Sequence, residues 1–436
     1  MKSFEMQDRG RRLIPGLTQL LSKRPDLYSL GVWPGYYSKA KGSQIWDLDG
    51  RQYLDMSIAG IGACILGYAD EEVDDAVICA IRQGVASSLN CAEEVELAEL
   101  LCELHPWAQM VRFARCGGEA MSIAVRIARA HTGRDIVAFC GYHGWTDWYL
   151  AANLGTTENL DGYLLPGLEP AGVPRGLTGT AVPFRYNHPE ELEAIVKSSG
   201  KNLAAIVLEP LRSEFPQAGF IERIRELANQ CGAVMIIDEV SAGFRLCSGG
   251  AHLVVHSVEP DMAVFSKAMG NGYAIAAVIG REECMQSAQK TFISSTNWTE
   301  RVGPTAALAT IRKHRRERVH ERLTSLGRRV KAGWESIGHK HGFNIHVSGL
   351  DAMSHFSFED QDFLSYKAYF IQCMIEQGIL ASNLCYLMNS HNDADVDRYL
   401  EACDVSFSKM AEARSNKDIN RRLKGKPAIS GFKRLA

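Results

Sequence analysis

The chain has 436 residues, 46% of them hydrophobic, and a formal net charge of -3. That length supports a large buried core divided between two domains, and the near balance of charge excludes a global field suited to nucleic acid or an anionic membrane surface. The opening MKSFEMQDRGRRLIPG has no apolar signal core, and no run approaches the roughly 20 apolar residues of a spanning helix, so neither leader nor membrane partner is expected.

Twelve cysteines occur, with no Cys-x-x-Cys pair. Several lie in apolar runs, among them Cys64, Cys102 and Cys140. Reduced, buried thiols in a cytoplasmic protein are expected rather than a disulfide frame. Cys and His do not cluster at zinc-like spacings, so no metal is expected.

In chain order, residues 45–47 and 52–55 flank Asp49-Gly50 and predict a hairpin. Residues 94–104 place Val95, Leu97, Ala98, Leu100, Leu101 and Leu104 on one helix face. A second helix is predicted over 119–131, capped at Gly133. A strand follows at 135–141 (DIVAFCG), then a long Gly/Pro-rich stretch over 153–180. Further strands are predicted at 203–209, 233–240, 261–266 and 276–280, with a helix at 222–231. These strands are short, β-branched and apolar on both sides, as in sheets covered on both faces. The alternation predicts an α/β fold with a mostly parallel sheet. From about residue 320, two long helical stretches and a few strands predict a smaller α+β domain. The expected division is an N-terminal segment (1–60) contributing to the small domain, a large domain (61–315), the C-terminal small domain (316–412) and a solvated basic tail (413–436).

Four local features carry chemistry. Cys116-Gly117-Gly118-Glu119 opens a helix, either as a phosphate cradle using free N–H groups or as an ordinary tight turn. Gly141-Tyr142-His143-Gly144-Trp145 follows a strand, so Tyr142 either lies against an aromatic ring or packs in the loop. Asp238 ends an apolar strand, where a carboxylate either faces a ligand crevice and pairs with a protonated pyridine nitrogen or caps a turn. Lys267 ends another strand before Ala268-Met269-Gly270, and is either a partly buried imine-forming amine or a lysine reaching to solvent.

The chain resembles class III aminotransferases, and among them the glutamate-1-semialdehyde aminomutase branch. The likeness spans roughly residues 28–410. It rests on Ala40-Lys41-Gly42 with Trp46-Asp47-Leu48-Asp49-Gly50, then Val111-Arg112-Phe113 and the run from Ile127 to Arg134. It continues through Tyr142-His143-Gly144, Glu209-Pro210, Asp238-Glu239-Val240, Gly243-Phe244-Arg245 and Ser266-Lys267. The resemblance implies the fold-type-I architecture of pyridoxal-phosphate (PLP) transferases, with Lys267 holding PLP as a Schiff base and pyridoxamine phosphate as the aminated form. It also implies Asp238 at the pyridine nitrogen, Tyr142 and Val240 on opposite ring faces, and Glu209 near the ring. Gly117 and Gly118 match the phosphate turn, and Thr299 matches the threonine reaching the neighbouring subunit's phosphate. A homodimer with shared sites follows by the same analogy.

Departures bear on substrate. The family's Ser-Gly-Thr-Glu-Ala is here Cys116-Gly117-Gly118-Glu119-Ala120, and Thr-x-x-Gly-Asn-Pro is Thr299-Glu300-Arg301-Val302-Gly303-Pro304, which brings an ionic Glu300-Arg301 pair into the loop. The aminomutase's Ser-Ala-Phe-Glu is Ser382-Asn383-Leu384-Cys385-Tyr386, without the glutamate. Its substrate-carboxylate arginine has only Arg24 as a gapped match. The aromatic stretch 28–37 and the segment 153–180 either shape a pocket for another carbonyl compound or are ordinary packing and a mobile lid. The expectation is an aminotransferase moving an amino group from a donor such as glutamate to a small carbonyl acceptor, with sugar or secondary metabolism as its setting. The alternatives are an aminomutase, a racemase or epimerase, and, outside enzymes, a PLP-fold regulator or scaffold, disfavoured because no basic helix-turn-helix is visible.

Overall fold

A computed structural model describes residues 1–430 except 157, 164, 165, 212 and 361. Two compact units emerge, one of residues 71–320, the other of 1–70 with 321–436. The boundaries thus fall after residues 70 and 320, against 60 and 315 expected from sequence.

The terminal unit begins with β1 (Tyr37–Lys41), β2 (Gln44–Asp47) and β3 (Gln52–Met56), an antiparallel meander. The Asp47 carboxylate shapes the expected hairpin turn by accepting from the Asp49 and Arg51 N–H groups, both at 2.9 Å.

The 71–320 unit holds β4 (Met110–Ala114), β5 (Ile136–Cys140), β6 (Ala181–Pro183), β7 (Leu203–Leu208), β8 (Val234–Asp238), β9 (Met262–Phe265) and β10 (Ala276–Gly280) in the order β4-β10-β9-β8-β7-β5-β6. From β9 to β6 every pairing is parallel, whereas β10 runs against both neighbours. Every residue of β7 and β8 is buried, which requires cover on both sheet faces. On one face Ala205, Val207, Ile236, Val264 and Val278 share a core with Ala120, Ile123, Ala124 and Ile127 of the helix Gly117–Thr132. That helix ends at Gly133, as expected. Because β4 and β9 both oppose β10, the carboxyl ends of β4, β5, β7, β8 and β9 all lie at one sheet edge.

The long stretch after Asn153 is fastened to this unit. Buried Asn153 donates to the Leu168 carbonyl at 2.6 Å and accepts from the Leu160 N–H at 3.1 Å, while Leu160 and Val173 sink into the core.

The terminal unit is completed by β11 (Ile345–Leu350), β12 (Met353–Phe358), β13 (Ile379–Ala381) and β14 (Leu384–Tyr386). Strands β11, β12 and β14 form an antiparallel sheet, whereas β13 lies parallel to β3, Ile379 opposite Leu54. Of the segment expected as a solvated tail, residues 413–430 lie along this unit, held at a few buried points while most of their neighbours stay exposed or half-exposed, and residues 431–436 lie outside the described residues. The helix Asp393–Ser415 runs on into it, Ile419 and Ala428 are buried, and the Ile429 N–H donates to the Asp26 carbonyl at 3.0 Å. Two of its basic residues pair with carboxylates, Lys424 with Glu376 at 2.7 Å and Arg422 with Glu412 at 2.9 Å.

No disulfide forms; Cys140 is buried, while Cys64 and Cys102 are half-buried. Among the described residues no helix is long and apolar enough to cross a membrane, and no group of three His, Cys, Asp or Glu could hold a metal ion.

Candidate active site

The strand ends at the shared edge carry the residues that stood out in the sequence. Lys267 lies two positions beyond β9 with φ of +44°, a left-handed conformation that costs a lysine on the order of 1 kcal/mol and persists only where its surroundings enforce it. Its Nζ donates to Ser241 Oγ at 2.7 Å. Burial lowers the pKa of this amine; the carboxylates of Asp238 and Glu209 oppose that shift, and the Arg245 guanidinium adds to it.

Asp238, the last residue of β8, is buried with both oxygens engaged. One accepts from the Val240 N–H at 3.0 Å, and the other lies 2.8 Å from Nδ1 of the buried His143. His143 Nε2 in turn lies 3.2 Å from the Cys140 carbonyl, so the ring is held at both ends. Trp148 stacks alongside it, 6.3 Å between centroids. Next to His143, Tyr142 donates its N–H to Glu209 at 3.4 Å, and its hydroxyl pKa is raised by burial and by the Asp238 charge.

Gly117 and Gly118 form the first turn of their helix, and no side chain among the described residues caps its N-terminus. Its first N–H groups are therefore available to an anion. Tight packing explains the glycine at 117. A Cβ there would stand 2.9 Å from Val240 Cγ1 and 3.6 Å from Ser266 Cβ. Gly144 has a comparable reason, since its Cβ would stand 2.9 Å from Gly118 Cα. Four chain segments thus converge with little room: 115–118, 142–145, 238–241 and 266–267.

Thr299 is not part of that cluster. It is exposed at the end of a short 3-10 turn, and its hydroxyl donates to the Thr296 carbonyl at 3.0 Å. The carbonyls on either side of it, of Trp298 and Glu300, are gripped by Arg115 at 2.8 and 2.9 Å. The Glu300-Arg301 pair is spent on structure. Glu300 accepts from the Val302 and Gly303 N–H groups at 2.7 and 2.9 Å and faces Arg115 at 3.0 Å, while Arg301 binds Glu93 at 2.7 Å.

Two partners at this edge were not read as functional in the sequence. His143 belonged to a quoted motif, and its place beside Tyr142 was the available signal. Ser241 carried no signal, because its contact with Lys267 depends on how the turn after β8 folds.

The edge therefore offers an amine, a buried carboxylate and an uncapped helix N-terminus, with Tyr142 and Val240 beside them. An aromatic aldehyde bearing a phosphate and a ring nitrogen fits this donor and acceptor set. Comparison with known proteins agrees. The family described as "Aminotransferase class-III" matches residues 31–402. A 3-aminobutyryl-CoA aminotransferase of Cloacimonas acidaminovorans is 32% identical over 94% of this chain and 97% of its own. A glutamate-1-semialdehyde 2,1-aminomutase of Akkermansia muciniphila is 31% identical over 94% of this chain and 99% of its own. The PLP internal aldimine form of the FumI protein of Sphingopyxis sp. MTA144 superposes with a TM-score of 0.85 at 25% identity, covering 98% of each chain. The chain belongs to the class III aminotransferase family and is, like its members, a PLP-dependent enzyme of the α/β transaminase fold.

Proposed function

We propose that the enzyme is a two-substrate transaminase taking an amino group from an amino acid such as glutamate and giving it to a small carbonyl acceptor. The carrying observation is the state of Arg24. In its own unit this arginine is buried and doubly bonded to Asp26, Nε to Oδ1 at 3.1 Å and the terminal nitrogen to Oδ2 at 2.6 Å. A guanidinium already neutralised by a bidentate carboxylate is a poor receptor for a substrate carboxylate. The stretch Ser382-Asn383-Leu384-Cys385-Tyr386 lacks the glutamate of the aminomutase motif, and a relative named as an aminotransferase supports the same reading.

The roles follow from the groups at the edge. When bound, PLP supplies the carbonyl that accepts the amino group and a cationic ring that draws off electrons. Asp238 keeps the ring nitrogen protonated, and His143 fixes its carboxylate. Tyr142 and Val240 flank the ring, Glu209 orients the Tyr142 loop, and the Gly117-Gly118 turn binds phosphate through its N–H groups. Lys267 holds the cofactor, and once released its neutral amine moves the proton at the substrate carbon. The exposed Thr299, with the exposed apolar Leu89, Trp145 and Phe292 on the same unit, supports a homodimer in which Thr299 serves the partner's site. A cytoplasmic location fits the twelve free cysteines.

A half-reaction tests the proposal. Holoenzyme mixed with a donor alone, from a panel of glutamate, alanine and 3-aminobutyryl-CoA, should release one equivalent of keto product and lose the long-wavelength absorbance of the bound cofactor. Efficient formation of 5-aminolevulinate from glutamate-1-semialdehyde with no added donor overturns it and restores the aminomutase.

A further inference from the structure

The turn after β8 holds a hydroxyl that neither the motif nor the family assignment explains. Ser241 is pinned in that turn. The Gly243 N–H donates to the Glu239 carbonyl at 2.8 Å, the Arg245 N–H to the Ala242 carbonyl at 3.2 Å, and Arg245 Nε to the carbonyl of Ser241 itself at 3.5 Å. Phe244 and Arg245, both buried, anchor the far side. From this fixed backbone the Ser241 hydroxyl meets Lys267 Nζ at 2.7 Å. Lys267 sits on an equally constrained backbone, left-handed at φ of +44°. Two rigid turns thus place an uncharged acceptor against the amine, while the charged groups acting on it are Asp238, Glu209 and Arg245.

We propose that Ser241 is a positioning residue for Lys267: its hydroxyl accepts one N–H of the free amine and parks it at the sheet edge between attachment events. The inference rests on the reading of Lys267 as the cofactor-holding and proton-moving amine. A lysine side chain has several freely rotating bonds, and without a partner its amine samples many positions. An uncharged acceptor restricts that search while leaving the nitrogen lone pair for chemistry, which a carboxylate in the same place would keep protonated. An uncharged acceptor favours the ammonium form far less than a carboxylate would, so removing it adds modestly to the lowering that burial already produces.

The test uses Ser241→Ala and the conservative Ser241→Thr, each with its fold checked by circular dichroism. In the apo-protein, the pH dependence of reductive methylation at Lys267, followed by peptide mass spectrometry, reports the ionisation of this amine. Ser241→Ala should lower its midpoint and slow the covalent recapture of added PLP by roughly three- to tenfold, the range expected for one lost hydrogen bond. Ser241→Thr should restore both. In the holoenzyme kcat should fall by a similar factor with KM little changed. A Ser241→Ala protein with an unchanged methylation midpoint and recapture rate overturns the proposal. Lys267→Ala separates the two failures: borohydride fixation of PLP in that variant sinks the Lys267 reading itself, whereas its loss there alongside an unaffected Ser241→Ala sinks only the role of Ser241.

Discussion

The carboxylate at the end of β8 is the most exacting residue of the site. Asp238 has both oxygens held, one by the Val240 N–H and one by His143, and each oxygen keeps a second lone pair for a further donor. Asp238→Asn keeps the shape and can keep the Val240 bond, but removes the charge that would hold a ring nitrogen protonated. PLP should still bind, while proton abstraction slows by roughly a hundredfold or more, comparable to losing one preorganised electrostatic contact. Single-turnover kinetics with a deuterated donor checks this, and an Asn variant turning over at the parent rate refutes the electron-sink role. Much at this scale was legible beforehand. Asp238 and Lys267 ended apolar runs, and polar residues at such ends face the ligand edge in parallel sheets. The contacts of His143 and Ser241 were not legible, because the first joins the turn after β5 to the end of the non-adjacent β8, and the second depends on how the turns after the neighbouring β8 and β9 fold against each other.

Five of the seven strands of the large sheet were readable as apolar runs, whereas the partly exposed β4 and the three-residue β6 were not, and neither were all of the directions. The run at 276–280 looks like its neighbours because burial on both faces erases the period-two signal and leaves no trace of polarity. Its antiparallel placement, like that of the partly exposed β4 paired with it, comes from topology alone. Charged residues mislead for a related reason, since a sequence shows charges but not their partners. Glu300 and Arg301 resembled an intrusion into the site, yet Glu300 is the N-terminal anchor of the helix Val302–Arg316. Replacing it by Ala removes two bonds to helix N–H groups and leaves Arg115 with one ion-pair partner fewer. Glu300→Ala should therefore cost about 2 kcal/mol, more than a usual cap because a half-buried guanidinium loses its carboxylate. Glu300→Gln, which keeps an acceptor for the helix, should lose less. Thermal unfolding of the two variants decides it, and equal melting temperatures for Glu300→Ala and the parent refute the anchor.

For the whole molecule, the open question is whether one chain makes a complete site. Thr299 is exposed, whereas the carbonyls flanking it are clamped by Arg115, so the threonine is held rigidly outward. If it completes a partner's site, Lys267→Ala and Thr299→Ala chains should complement each other. In each mixed dimer one site carries both defects and the other neither, so random equal mixing should restore about a quarter of parental activity from two impaired parents. Absence of recovery, with mixed dimers demonstrated by mass, confines Thr299 to its own chain. The division of the chain has a further consequence for how it is made. Residues 71–320 are contiguous and can fold as they leave the ribosome, but β3 waits for β13, its parallel neighbour from the far end of the chain. At about 5–20 residues per second that wait lasts on the order of tens of seconds, during which Leu54 and Met56 line an unpaired strand edge. Premature termination after the large unit would make the exposure permanent, leaving a chain with a folded catalytic edge and a sticky N-terminal hairpin.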